Sequence, residues 1–499
     1  MKQACEFWAI TGKPIIWLCF SLSIFISSCK SLPEGKDVDT FPSIFPDYNG
    51  VTIPPNIAPL NFKMNREYEK VCAIFEYQNH QLIRYGSKGK ITIPSSAWKT
   101  LLQQAAGGTI QVTVYAKNKD DGWCKFKTFP FFVSSDSIDP YIAYRLIDPG
   151  YALWNTMGIY QSNIESSKQS VIMENKMTEF NCMNCHSFCM QSPETMLFHM
   201  RDKYPSTIIV KDGKIEKLNT KTEQTISFLV YPSWHPGGRF IAFSTNVTKQ
   251  AFHMNNRNRI EVFDEASDVV IYDVEKHEII TSSLLFSKEQ WETFPSFSPD
   301  GKTLYFCSAT SRNIEEFEEI KYNLCSISFD PVTRSFGTDV DTLYNAAVNG
   351  LSASFPRVSP DGKYLLYTLS NYGNFSIWHK DADLHLYDLI QKTTRSLDEV
   401  NSTDVESYHS WSSNSKWFVF SSRRLDGLYT RPYFAHIDAD GKISKPFLLP
   451  QKNVDLYHNL MKSYNIPEFI TGKVKSRGFK ISRLVKKEKG IDITFVGRQ

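Results

Sequence analysis

Five consecutive residues carry the densest chemistry in this 499-residue chain: Cys182-Met183-Asn184-Cys185-His186. Two thiols three residues apart can add to the two vinyl groups of a porphyrin. The adjacent imidazole can then face the iron as its proximal ligand. Three other chemistries compete. Zinc would take Cys182, Cys185, His186 and Cys189. A zinc site usually draws its ligand pairs from separate segments, and no second pair stands elsewhere. A thioredoxin-like redox pair expects a βαβ context, and none is visible. A structural disulfide or a chance motif completes the set.

The C-x-x-C-H resembles the attachment motif of the cytochromes c, in the wide sense of covalent haem proteins. That resemblance implies one haem c on Cys182 and Cys185, with His186 as proximal iron ligand. Six of the 11 methionines (Met173, Met177, Met183, Met190, Met196, Met200) lie within 28 residues around the motif, with Phe180, Phe188 and Phe198. A haem needs such apolar walls, although methionines also serve as plain core filler. A ligand on the far side of the iron is expected from His199, on a helix-like stretch (PETMLFHMR) opened by Pro193. His253 is the runner-up. Met196, Met200 and Met254 are thioether alternatives, and an open iron site is the remaining one.

Something must position these residues, and export comes first. Residues 14–26 (PIIWLCFSLSIFI) form an apolar run of 13, too short for a spanning helix, which needs roughly 20. The run suits a secretory signal. Ile26-Ser27-Ser28-Cys29 follows directly and resembles a bacterial lipobox. That resemblance implies removal of residues 1–28, Cys5 and Cys19 among them, and lipidation of Cys29. Lys30 rather than Asp favours the outer membrane, with the periplasmic or surface face open. The chain would then meet the membrane through acyl chains alone.

Residues 30–60 carry repeated Pro, Asp and Ser and read as a tether. From 61 to 135, runs such as VCAIFEY, KITIPSS, TIQVTVYAK and WCKFKTFPFFV alternate with Gly, Asn and Asp turns. This predicts a small β-sandwich of immunoglobulin type. Cys72 and Cys124 stand in two of these runs and form either a disulfide or two buried thiols. Residues 136–205 lack strand alternation and read as a connector with short helical turns, cytochrome-c-like around the motif.

From residue 206 two features recur. One is a strand-turn-strand: YPSWHPGGRFIAFSTN, FPSFSPDGKTLYFCSA, FPRVSPDGKYLLYTLS and YHSWSSNSKWFVFSSR. Its turns fall at Gly238, Gly301, Gly362 and Ser415, spaced 63, 61 and 53. The other is a hairpin with Asp at its tip, at Asp212, Asp273, Asp330, Asp388 and Asp438, spaced 61, 57, 58 and 50. Two registers with one order and one period predict four-stranded blades stacked around an axis. Five blades follow if the C-terminal strands near 473–497 complete the first. The SPDGK-type repeats resemble the TolB-like propellers, which implies six. His235 and His409 depart from the repeat, where other copies carry Ser and Pro respectively.

Composition narrows the function. The chain has 56 basic and 53 acidic residues, a net charge of +3, which argues against a nucleic-acid partner. No G-x-S-x-G or H-E-x-x-H supports a hydrolase. The expected role is electron transfer or redox chemistry by an outer-membrane lipoprotein with one covalent haem, working with an envelope redox or scaffold partner. The alternatives are a non-enzymatic envelope binding protein acting through its propeller, and a haem peroxidase or reductase with an open iron.

Overall fold

A computed structural model describes residues 32–119, 122–148 and 155–498. The apolar leader and Cys29 lie outside the described residues. The protein is mainly β, with 48% of the described residues in strands.

Residues 35–133 build a seven-stranded sheet and a three-stranded sheet. Between Lys90–Ile91 and Thr109–Lys117 the chain adds an amphipathic helix, Ser95–Ala105, which strand-turn-strand reading missed. Trp98, Leu101, Leu102 and Ala105 turn its apolar face onto the core. The tether reading of residues 30–60 is corrected. Gly35–Val38 and Thr52–Ile53 join the larger sheet as parallel edge strands, and Tyr48, Val51, Ile53 and Leu60 are fully buried. Frequent Pro and Asp hid a segment whose apolar residues are single rather than periodic.

The register also decides the Cys72–Cys124 question. Cys72 pairs with Tyr115 and Cys124 with Ala116, on opposite sides of the strand Thr109–Lys117. Two strand spacings, roughly 9.6 Å, separate them, and neighbouring rows point to opposite faces. Both exceed what a disulfide spans, and both thiols are free.

The rest of the chain forms six sheets in a propeller-like ring, with their first strands adjoining in sequence around one axis. Those inner strands are Met183–Phe188, Leu229–Trp234, Gln290–Phe297, Ser352–Val358, Glu406–Trp411 and Ser463–Ile470. We number the sheets 1 to 6 in that order. Sheets 2 to 5 follow the repeat read from the sequence, and the turns at Gly238, Gly301, Gly362 and Ser415 all have positive φ. Sheet 1 begins at Met183, not 206. Sheet 6 is composite: Ser463–Ile470 pairs antiparallel with Tyr141–Ile147, followed outward by Gly158–Asn163 and Lys168–Glu174.

The connector reading of 136–205 is therefore corrected: the described part holds five strands, two in sheet 1 and three in sheet 6. Strands near the axis are buried on both faces, so they lack alternation and resemble helical or irregular apolar runs. Ring closure is corrected too. The tail strands Ile491–Asp492 and Thr494–Arg498 add in parallel to the outer edges of sheets 1 and 2. Sheet 1 already has four strands of its own, and Ser463–Ile470 closes the circle.

Sheet 5 anchors the N-terminal sheets. Trp417 Nε1 donates to the Asp136 carbonyl at 3.1 Å, and the Ser413 backbone N–H donates to Asp139 at 2.7 Å. Lys63 and Lys90 both pair with Asp455.

Candidate functional site at the ring axis

Every inner strand carries the same irregularity. One residue takes positive φ: Cys185 (52°), Tyr231 (49°), Phe294 (50°), Phe355 (55°), Tyr408 (48°) and Ile466 (48°). It opens a bulge at the matching point of each ladder. The next residue is His186, Pro232, Pro295, Pro356, His409 or Pro467. Proline suits this slot because a bulged residue has no ladder bond to donate. The C-x-x-C-H is thus sheet 1's copy of the repeat, with Cys-His where sheets 2 to 4 have aromatic-Pro.

The six positive-φ residues form a collar across the axis. Ring centroids step round it at 4.7 Å from Tyr231 to Phe294, 5.6 Å to Phe355 and 5.0 Å to Tyr408. Ile466 and Cys185 complete the circle. Cys185 is the one member with a nucleophilic thiol.

On one side of the collar lies a funnel of about 470 Å³. Cys182 and Asn184 open into it, with Tyr231, Tyr408, Phe375 and Trp378 on its walls and Arg145, Arg201 and Arg423 beside them. Arg145 donates to the Met183 carbonyl and to Asn465 Oδ1, and Arg423 stacks on Trp378 at 4.7 Å. None of the three arginines has a carboxylate in ion-pair contact among the described residues. Burial pushes the Arg423 guanidinium down to about 10. Burial also raises the Cys182 thiol, against the pull of Arg145 and Arg201.

On the other side is a polar chamber of about 140 Å³, at the end where Pro236, Pro299 and Pro360 lead into the repeat turns. His186, His409, Arg357 and Glu468 line it. His186 is 3% exposed, and neither ring nitrogen makes a hydrogen bond of good geometry. Burial, reinforced by Arg145, lowers its pKa to about 3. Its Nε2 lies 3.7 Å from Glu468 Oε2. Burial raises Glu468 to about 8, only partly offset by the Phe188 N–H and Arg357. At neutral pH both are mostly uncharged, so the contact is not an ion pair.

Glu468 rises from 4.5 to about 8 on folding. The folded chain holds this proton more tightly, so the contribution to stability is complete below about pH 4.5 and is lost as pH rises through about 8. With one-fifth of the side chain exposed, the loss should be on the order of 2 kcal/mol. Glu468→Gln should flatten the pH dependence of urea unfolding between about pH 5 and 9. Parallel profiles for parent and variant would show that Glu468 is not the titrating group.

The other sequence candidates lie elsewhere. His199 is on a strand, Thr195–Met200, not a helix. It sits across from Asn184, packs on Phe228 and shares a 3.2 Å hydrogen bond with Thr207 Oγ1. Strand alternation turns it and Leu197 towards sheet 2. His253 lies at the tip of the long hairpin formed by Phe240–Phe252 and Ile260–Asp273, stacked on Phe317. Neither lines the funnel or the polar chamber. Met173, Met183, Met196 and Met200 fill the core between sheets 6 and 1, while Met254 is 93% exposed. His409, flagged only as a departure from the repeat, does share a chamber with His186. Arg357 and Glu468 were missed, though both replace the commonest residue of their slot, Ser.

For a covalent haem the fit is as follows. Cys182 opens to the funnel, Cys185 stands in the collar, and the His186 imidazole lies beyond it in the polar chamber. Three arginines outside any ion pair are available to two propionates, with Asp148 and Asp202 in the same lining. Met157 and Met190 are the methionines that line the two chambers. Among the described residues no group of three or more His, Cys, Asp or Glu is placed to hold a metal ion.

Among solved structures the chain is similar to a puromycin-hydrolysing peptidase of Mycobacterium tuberculosis, at 11% identity and TM-score 0.34, over 69% of this chain and 52% of that one. It is similar to a Bacteroides fragilis protein named for 6-phosphogluconolactonase, at 12% and 0.35, over 62% and 96%. A third is prolyl oligopeptidase B of Galerina marginata, at 10% and 0.34, over 68% and 42%. The chain thus spans about half the length of the peptidase. No family model matches the sequence, and no curated protein does.

Proposed function

We propose that this protein is a redox protein of the cell envelope that holds one covalent haem c at the axis of a TolB-like, six-bladed propeller, with an immunoglobulin-type sandwich as its N-terminal domain. One observation carries the reading: the motif runs across the axis, with Cys182 in a chamber that has aromatic walls and three arginines outside any ion pair, Cys185 in the collar, and the buried His186 imidazole just beyond it. Cys182 and Cys185 hold the porphyrin through thioethers, each S–H adding across a vinyl group. His186 is the proximal ligand. Arg145, Arg201 and Arg423 bind the propionates, and the collar aromatics exclude water. The haem, when bound, supplies one-electron chemistry. Anchoring through Cys29 to the outer membrane, and an envelope redox partner, belong to the same proposal. Open-site chemistry as a peroxidase or reductase is its enzymatic variant, since His199 and His253 line neither chamber.

The test is production in an export-competent host that attaches haem c. The expected product is red, keeps its haem through denaturation, and loses it in Cys182→Ala with Cys185→Ala. A colourless product with free motif thiols would overturn the proposal. In that case the second reading stands. The three arginines favour it: a binding protein that holds an anionic, flat ligand in the funnel.

A further inference from the structure

We infer that the polar chamber beyond the collar is a second ligand site, built for a carboxylate carried on a short apolar group. The inference does not rest on the haem. It starts from the repeat. The slot after the proline position reads Ser187, Ser233, Ser296, Arg357, Ser410 and Glu468. Two of six copies exchange a small hydroxyl for a large charged side chain, and two copies of the preceding slot exchange Pro for His. All four exchanges fall on sheets 1, 4, 5 and 6, so they form one polar arc around the axis.

Arg357 is the anion-binding member. Its guanidinium stacks over the Phe355 ring at 4.0 Å and makes one hydrogen bond, at 2.7 Å, to the carbonyl of Pro356. Glu468 lines the same chamber, but no carboxylate oxygen among the described residues comes within ion-pair contact of the guanidinium, which keeps its remaining N–H groups available to a ligand. The planar fork of Arg357 matches a carboxylate bidentately.

The neighbours are also incomplete. His409 is 1% exposed and donates through Nε2 to the Leu366 carbonyl at 2.9 Å, while Nδ1 lies by the Phe355 backbone without a well-formed hydrogen bond. His186 Nε2 and Glu468 Oε2 face each other at 3.7 Å, too far for a hydrogen bond. Burial and Arg357 keep the His409 imidazole neutral, with a pKa of about 3. It therefore offers polarity without competing charge. The chamber would hold several waters or one small organic acid. Its rim is apolar: Pro236, Pro299, Pro360, Phe297 and Met190. The carboxylate belongs inside against Arg357, and the apolar group belongs at the rim.

Two sources share that chemistry, a free short-chain acid and the C-terminus of a peptide. The experiment uses the full chain made without haem-attachment machinery, so that its outcome is separate from that of the haem proposal. Calorimetry compares isovalerate with isovaleramide, and a leucine-terminated tripeptide as free acid and as C-terminal amide. Binding of a free acid at least tenfold tighter than its amide is expected. Preference for isovalerate alone identifies a free acid, and preference for the tripeptide acid identifies a peptide terminus. Arg357→Met should weaken binding at least tenfold. Met190→Trp, at a half-exposed rim position, should block entry without touching the buried arc. Acids that bind no better than amides, or full affinity in Arg357→Met, would overturn the inference.

Discussion

A chain that ends at residue 462 should fail to fold cooperatively, whereas one that ends at 475 should keep the ring. The shorter form loses Ser463–Ile470, the inner strand of sheet 6. That strand buries Tyr464, Phe469 and Ile470 almost completely. It also supplies Ile466 to the collar and pairs along the length of Tyr141–Ile147. Without it the inner edge of Tyr141–Ile147 faces the axis unpaired, and sheets 5 and 1 lose the neighbour that joins them. The longer form lacks only the helix Gly478–Lys487 and two parallel edge strands. It keeps Val474, whose N–H and carbonyl both bond to the Gln161 side chain at 2.8 Å. Urea unfolding followed by far-ultraviolet circular dichroism distinguishes the two. The 475 form should show one cooperative transition at a modestly lower midpoint. A cooperative 462 form would mean that sheet 6 does not close the ring.

The second large effect is expected at Arg431, a fully buried guanidinium. It donates to the carbonyls of Lys462, Tyr457 and Leu460 at 2.6, 2.9 and 2.8 Å. Its nearest carboxylate oxygen, on Asp426, is 3.9 Å away. Its role is therefore to satisfy the carbonyls of a backbone turn. Arg431→Met keeps much of the volume but takes the donor from three carbonyls, that of Tyr457 buried and those of Leu460 and Lys462 half-buried. The expected loss is about 3–5 kcal/mol. Arg431→Lys should recover little, because one ammonium cannot match the spread of a planar fork. The check is a shift in urea midpoint at constant slope. A loss under about 1 kcal/mol would mean that the turn finds other donors.

Much of the ring was legible because its signals are local. SPDGK turns and Asp-tipped hairpins lie within single blades, so their spacing exposed sheets 2 to 5. Sheet 6 was not legible. Arg145 and Asn465 pair although they are 320 positions apart, and no local pattern reports such a partner. Sheet 1 was hidden differently. Its bulge carries Cys185-His186 instead of an aromatic and proline, so the repeat looked like a separate motif. Aligning NCHSF with YPSW, FPSF and IPEF would have shown it. His199 and His253 were expected near the motif from closeness in sequence, and strand direction sets both away from the two chambers.

The composite sixth sheet also sets an order of events. Residues 141–174 leave the ribosome early, yet their sheet stays without its inner strand until residue 470 has followed. The collar cannot close before then, and Cys185 is among the residues that it covers. The strand that closes the circle over Cys185 is therefore the inner strand that comes last in the sequence, and the two halves of its sheet are brought together only by the completed ring.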